Sequence, residues 1–300
     1  MQMAELMRRA WAAGTVIPGF NIPYLPMMAP VVRALRDTGS FGLIMVARLE
    51  WVKFQSGSLA AIREEYERVK DERYTRLHLD HVPVIDEDNE LVDYEATIRE
   101  AIDRGYASVM VDGSRLSLEE NIHATRRIVD LAHAHGVPVE GELGAVLGHE
   151  AGPLPPYEEL FASGKGFTDP EDAKRFVAET GVDWLSVAIG NVHGAISTAR
   201  HDKKVEARLH LDHLSAINGA AGIPLVLHGG TGIRREDILA AIPRGIAKIN
   251  VATAIRQPYE RAMGESMEAA QEAVYRMTRE VLEVELRCAG NAELVGGEAI

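Results

Sequence analysis

"RLHLDHVPV" (residues 76–84) and "RLHLDHLSA" (208–216) share six letters and call for opposite readings. The first lies in a β-rich run and meets Pro83 directly afterwards, a residue that cannot continue a central ladder. It reads as a strand with Asp80 and His81 at its C-terminal end. The second sits in "DKKVEARLHLDHLSAINGAAG" (202–222), where Leu211, Leu214 and Ile217 recur every third residue before Gly219 and Gly222. That spacing predicts an amphipathic helix, with Asp212 and His213 on its solvated surface.

With the first copy read as a strand, seven similar runs fall into place around it. They are "VIPGFNI" (16–22), "FGLIMVA" (41–47), "SVMVDGS" (108–114), "PVEGELG" (138–144), "WLSVAIG" (184–190), "PLVLHGG" (224–230) and "IAKINVAT" (246–253). Helical segments separate them, such as the one opened by a Ser-x-x-Glu capping box at Ser117 and Glu120 and closed at Gly136. Buried Val/Ile/Leu-rich strands alternating with helices imply a parallel sheet. Eight such units predict a closed (β/α)8 TIM barrel in one domain over 1–300, with a long helix over about 257–288 and a frayed tail. An open doubly wound sheet would carry a Gly-x-Gly-x-x-Gly turn after its first strand, and this chain does not.

Composition narrows the function. A formal charge of −13 excludes the basic stripe of a nucleic-acid-binding surface. The first fourteen residues are broken by Glu5, Arg8 and Arg9, unlike a signal peptide, and no apolar run approaches the ~20 residues of a membrane span. Cys288 is the chain's one cysteine, which excludes an intramolecular disulfide and a cysteine-based zinc cluster and fits a cytoplasmic location. Any metal must rest on His, Asp and Glu.

A lone histidine near a strand end is more often a hydrogen-bonded structural residue than a ligand. Here it has company. Asp112, Glu142, His193 and His228 all stand at the C-terminal ends of their own strands, and Asn250 and Thr253 end the eighth. A barrel gathers those ends at one mouth, so three His and two carboxylates there suit a transition metal, zinc first. "HGGTG" (228–232) follows strand seven with glycines that let backbone N–H groups approach an anion, where barrels place phosphate sites.

The motifs "HLDH", "SVMVDGS", "EENI", "VEGELG", "AIGNVHG", "PLVLHGGTGI" and "GIAKINVAT", in this order over about residues 75–256, resemble the class II (zinc-dependent) fructose- and tagatose-bisphosphate aldolases. The resemblance implies reversible cleavage of a ketose phosphate into dihydroxyacetone phosphate and an aldehyde. It implies a zinc held by His81, His193 and His228, with Asp112 and Glu142 at positions that hold a second metal or the zinc when it shifts. It implies Asp80 as acid–base group and Glu150, on a mobile loop, as proton shuttle. Gly194, Gly229, Gly230, Thr231, Asn250, Val251, Ala252 and Thr253 match positions that hold dihydroxyacetone phosphate. A monovalent cation and assembly into a homodimer or homotetramer come with the same resemblance.

Relatives commonly carry Gln-x-Ser after strand two, where this chain has Val46-Ala47-Arg48. Arg48 is thus a candidate for an anionic group of the substrate, against pairing with Glu50 or an acid of 84–94. Residues 84–94, "VIDEDNELVDY", read as an inserted, solvated acidic loop, and Lys248 reads as a structural ion pair. A zinc barrel hydrolase and a metal-binding subunit without catalysis are the alternatives. The hydrolase would carry His-x-His after the first strand, where "GFNIP" stands.

The duplicated motif gives the first test. Asp80→Ala should lower turnover roughly 10²–10⁴-fold, the range for a lost acid–base group. Asp212→Ala should change it less than about twofold. Similar losses in the two variants, measured under identical conditions, would overturn the strand and helix assignments.

Overall fold

The computed structural model describes residues 1–144, 157–191 and 207–296. Eight parallel strands close into a barrel in sequence order: β1 (Ile17–Asn21), β2 (Gly42–Ala47), β3 (Thr75–Pro83), β4 (Ser108–Asp112), β5 (Val139–Leu143), β6 (Trp184–Val187), β7 (Leu225–Leu227) and β8 (Ile246–Val251), with β8 returning to β1. The first helices are α1 (Met3–Ala13), α2 (Met28–Asp37), α3 (Arg48–Val52), α4 (Leu59–Val69), α5 (Tyr94–Asp103) and α6 (Leu118–His133). They are followed by α7 (Tyr157–Ser163), α8 (Pro170–Thr180), α9 (Leu211–Ala221), α10 (Arg235–Ala241), α11 (Thr253–Ala262), α12 (Met267–Glu280) and α13 (Asn291–Gly296). This is the (β/α)8 barrel that the alternation predicts.

Strand parity divides the barrel. Leu77, Leu79, Val109, Val111, Leu225, Leu227, Ile249 and Val251 face outward into the large core beneath the helices. A second core joins Met3, Leu6, Met7 and Ala10 of α1 to Ile17, Leu43, Val226 and Ala247 near the strand starts, so α1 stoppers the N-terminal end. The opposite end is polar, with Asp80, Glu140, Glu142, His228, Lys248 and Asn250 buried there. Hydrophobic packing fixes one end and leaves the other to chemistry.

The capping box forms as read: the Glu120 N–H donates to the Ser117 side chain, and Glu120 accepts from the Ser117 N–H. Three expectations need correction. The helix expected over 257–288 is broken, because Gly264 weakens it and Ser266 caps a new start by accepting from Ala269 N–H. A π-helical turn, Val281–Glu285, follows α12, and part of the tail expected to fray is the helix α13, whose Val295 is buried. The second RLHLDH copy is helical only from Leu211, inside the motif, where the His210 ring caps the helix by accepting from His213 N–H.

The acidic segment after β3 is likewise no loose loop. Its backbone closes a hairpin, with Val92 N–H donating to Val84 O and Asp86 N–H to Glu90 O, around Asn89 at φ 64°. The Asp86 carboxylate accepts from Asp88 and Glu90 N–H, and Arg115 donates to Asp86 O and the Asn89 side chain. Asp and Asn bonding their own backbone favour such turns, which is why so acidic a stretch is ordered.

Candidate active site

Consecutive residues of a strand point to opposite faces, so Asp80 and His81 should not share the barrel mouth. They do, because β3 slips register against β4 between Leu79 and Val82, and His81 adopts φ 31°. A bulge re-aims the imidazole, and a non-glycine residue at positive φ is a local cost that clusters at functional sites.

His81 Nε2 then lies 2.7 Å from His228 Nδ1. Each ring turns its other nitrogen to a carboxylate: His228 Nε2 stands 2.8 Å from Glu140 Oε1, and His81 Nδ1 stands 3.4 Å from Asp112 Oδ2. An ionised carboxylate only accepts, so those far nitrogens carry the hydrogens. The two near nitrogens then face each other at hydrogen-bond distance, where one proton is shared in the metal-free protein and a metal cation can replace it. Glu142 Oε2 is buried without a hydrogen-bond partner, 3.5 Å from His228 Nδ1. His81, Glu142 and His228 each offer one ligand atom, all within 4.8 Å of one another. The orphaned oxygen and the paired imidazoles fit a divalent metal, each ring oriented by the carboxylate behind it.

Electrostatics agree. Burial would depress the His81 pKa, but its bond to Asp112 and the charges of Asp80 and Glu142 raise it to about 10. A field that favours a proton there favours a dication. Burial, reinforced by Asp112, Glu140 and Asp80, pushes Glu142 well above the usual carboxylate range. Asp80 is the reverse: burial acts to raise its pKa, but Lys248, with the nearby histidines, holds it well below. Its carboxylate accepts from Asn21 Nδ2 and Asn250 Nδ2, both at 3.0 Å, and lies 3.6 Å from Lys248 Nζ.

Beneath this mouth is a layer that reading the sequence for strand ends missed. Glu140 Oε2 accepts from Lys248 Nζ at 2.8 Å and Trp184 Nε1 at 2.7 Å, with His78 alongside. The available signal was parity: Glu140 and Glu142, His78 and Asp80, Lys248 and Asn250 are pairs two residues apart in otherwise apolar strands. Lys248 is ion-paired, as its sequence reading has it.

Arg48 opens α3, one residue beyond Ala47, which pairs in register with Asp80. Its guanidinium lies 3.3 Å from Asp86 Oδ2. Glu50 turns away from it, accepting from Ala47 N–H at 2.7 Å. Gly229 at φ 68° and Gly230 follow β7, and a Cβ on Gly230 would stand 3.0 Å from Asn250 O. That turn therefore lies against Asn250–Thr253 and the start of α11, which no side chain caps. Glu150, His193 and Gly194 lie outside the described residues. His213 does not stand free in solvent, because its Nε2 donates to Thr168 O, whereas Asp212 is exposed.

A closed parallel barrel with imidazoles and carboxylates converging at its C-terminal mouth has the build of a barrel enzyme with a candidate metal site. The chain matches the family model for fructose-bisphosphate aldolase class-II over residues 1–295. A fructose-bisphosphate aldolase of Staphylococcus epidermidis is 33% identical over 256 residues, covering 84% of this chain and 81% of that protein. A probable fructose-bisphosphate aldolase of Bacillus subtilis (strain 168) is 32% identical over 274 residues, covering 90% and 87%. The crystal structure of the YdjI aldolase from Escherichia coli K12 matches with a TM-score of 0.76 at 28% identity, covering 97% of this chain and all of that one. The chain belongs to the class II fructose-bisphosphate aldolase family, a family of lyases. Among the described residues, no helix is long and apolar enough to cross a membrane.

Two outcomes test the site. His228→Ala should bring zinc content well below one per chain and abolish cleavage; full occupancy by elemental analysis with activity intact would remove His228 from the site. Glu50 tests its electrostatics. Burial, with Asp80 nearby, raises its pKa to about 8. A carboxyl raised on folding contributes stability below its unfolded value of about 4.3 and loses it as pH rises through about 8. In metal-free protein, Glu50→Gln should match wild type near pH 5 and melt progressively higher than it towards pH 8.5. A melting difference that stays flat over that range would contradict a buried, protonated Glu50.

Proposed function

We propose that this chain is a zinc-dependent aldolase that reversibly cleaves a phosphorylated ketose into dihydroxyacetone phosphate and an aldehyde. The observation that carries the reading is the pair of imidazole nitrogens facing each other at 2.7 Å beside the orphaned Glu142 oxygen. His81, His228 and Glu142 would hold the zinc, with His193 as the family's further ligand and Asp112 oriented behind His81. When bound there, such an ion supplies Lewis-acid stabilisation for the negative charge that carbon–carbon cleavage leaves on the donor fragment.

The chain's own residues supply the rest. Asp80, kept ionised by Lys248, is in the form that accepts the hydroxyl proton in the cleavage direction. Asn21 and Asn250 clamp its carboxylate from two sides, so it takes that proton without reorganising. Glu150 would exchange the donor fragment's proton. Gly229, Gly230 and Thr231, with Asn250, Val251, Ala252 and Thr253 at the start of α11, form the phosphate end, where backbone N–H groups and a helix N-terminus favour an anion. Gly194 completes that end in the family pattern. Assembly into a dimer or tetramer, a second metal and a monovalent cation belong to the same reading, carried by family membership alone.

At the other end, Arg48 stands in a rim built from α3 and the 84–92 hairpin. We assign it to an anionic group on the aldehyde side, for which it would exchange Asp86. A screen of aldehyde acceptors with dihydroxyacetone phosphate, read by mass spectrometry, tests the activity. No condensation product from any acceptor would leave a metal-binding protein without catalysis. For the best acceptor, Arg48→Ser should raise KM in the cleavage direction and leave dihydroxyacetone phosphate affinity nearly unchanged by calorimetry. An equal loss for dihydroxyacetone phosphate would move Arg48 to the phosphate end.

A further inference from the structure

Two donor sets overlap at the mouth and share His228. The outer one is His81, Glu142 and His228; the inner one is Asp80, Glu140 and His228, fully buried, with its three ligand atoms again within 4.8 Å of one another. Two carboxylates and an imidazole nitrogen are a competent oxygen–nitrogen set for a divalent ion. The Lys248 ammonium stands within the inner set, 2.8 Å from Glu140 Oε2 and 3.6 Å from Asp80 Oδ1.

His228 makes the two sets mutually dependent, because Nδ1 faces the outer set and Nε2 the inner one. A metal taken by Nε2 would displace its hydrogen. The neutral ring would then carry that hydrogen on Nδ1, and the outer set would lose a ligand. Glu140 prevents this only while its Oε1 remains an acceptor. Lys248 and Trp184 hold it so by both donating to Oε2.

We infer that Lys248 is a positioning residue: its ammonium stands in for a cation in the inner donor set and, through Glu140, keeps His228 Nδ1 open, so that zinc binds at the mouth and not in the inner set. The inference rests on the proposed metal site and adds what confines the metal to it. A plain structural ion pair would lower stability when broken and would leave the ring's tautomer alone.

The test titrates full-length, metal-stripped protein with zinc, counts ions per chain by elemental analysis, and follows the histidine tautomers by ¹⁵N NMR. Wild type should bind one zinc with hydrogen on His228 Nε2. Lys248→Met should take zinc into the inner set, with His228 Nε2 stripped of its hydrogen and that hydrogen now on Nδ1. Glu140→Gln, which keeps Lys248, serves if the first variant does not fold. Lys248 and Trp184 both donate towards the Oε2 position, so the Gln oxygen must face them and its NH₂ must face His228. The ring then carries hydrogen on Nδ1, and zinc affinity at the mouth should fall about 10–100-fold, the range for a lost oriented partner. Zinc bound at wild-type affinity with hydrogen still on His228 Nε2 in Lys248→Met, or an unchanged tautomer and affinity in Glu140→Gln, would overturn the inference and leave the metal site standing. Wild type that binds no zinc would remove both.

Discussion

Burying carboxylates without positive charge is among the costliest things a fold can do. This barrel gathers Asp80, Asp112, Glu140 and Glu142 at one mouth, three of them almost wholly inaccessible. Lys248 answers two of them directly. Glu142 is left with an oxygen that nothing in the described residues satisfies. The arrangement is a deficit of positive charge centred between His81, His228 and Glu142, and most features of the mouth serve to maintain it. Apolar packing is concentrated at the end closed by α1, and the buried charges are concentrated at the other.

Much of this was legible from strand parity and position. Reading 76–82 as a strand placed Asp80 and His81 at the mouth, and the other strand ends followed from the same alternation. What parity cannot express is a bulge. A strict strand would send His81 outward, and only the register slip and φ of 31° bring it back. The Asp-His motif signals its chemistry, but the backbone distortion that makes the chemistry possible has no signature in residue types. Asp-His is itself an unremarkable pair, as the second copy demonstrates by starting a helix.

The misreadings share a cause. Acidic composition reads 84–94 as a solvated loop, and 88–91 are indeed exposed, yet Asp86 binds two backbone N–H groups and faces Arg48 while Arg115 holds the backbone. Average composition cannot see that one carboxylate organises its neighbours. The helix over 257–288 failed at Gly264 and Ser266, two weak local signals that apolar spacing alone overrides. Strand ends do not reveal the inner charged layer, because Glu140 and Lys248 stand one pleat deeper.

That depth matters to how the site works. A residue at the mouth can touch substrate, whereas one two positions earlier on the same face can act only through its neighbour above. Glu140 reaches the mouth through His228, and Lys248 through Glu140 and Asp80. Each inner contact therefore sets a state that the outer residue must have: hydrogen on one imidazole nitrogen, charge on one carboxylate. Two-residue periodicity makes this layering available to any parallel barrel. Here the inner layer is charged, so the hydrogen-bonding state of the mouth's imidazole and carboxylate is set from beneath, by side chains that are themselves fully buried.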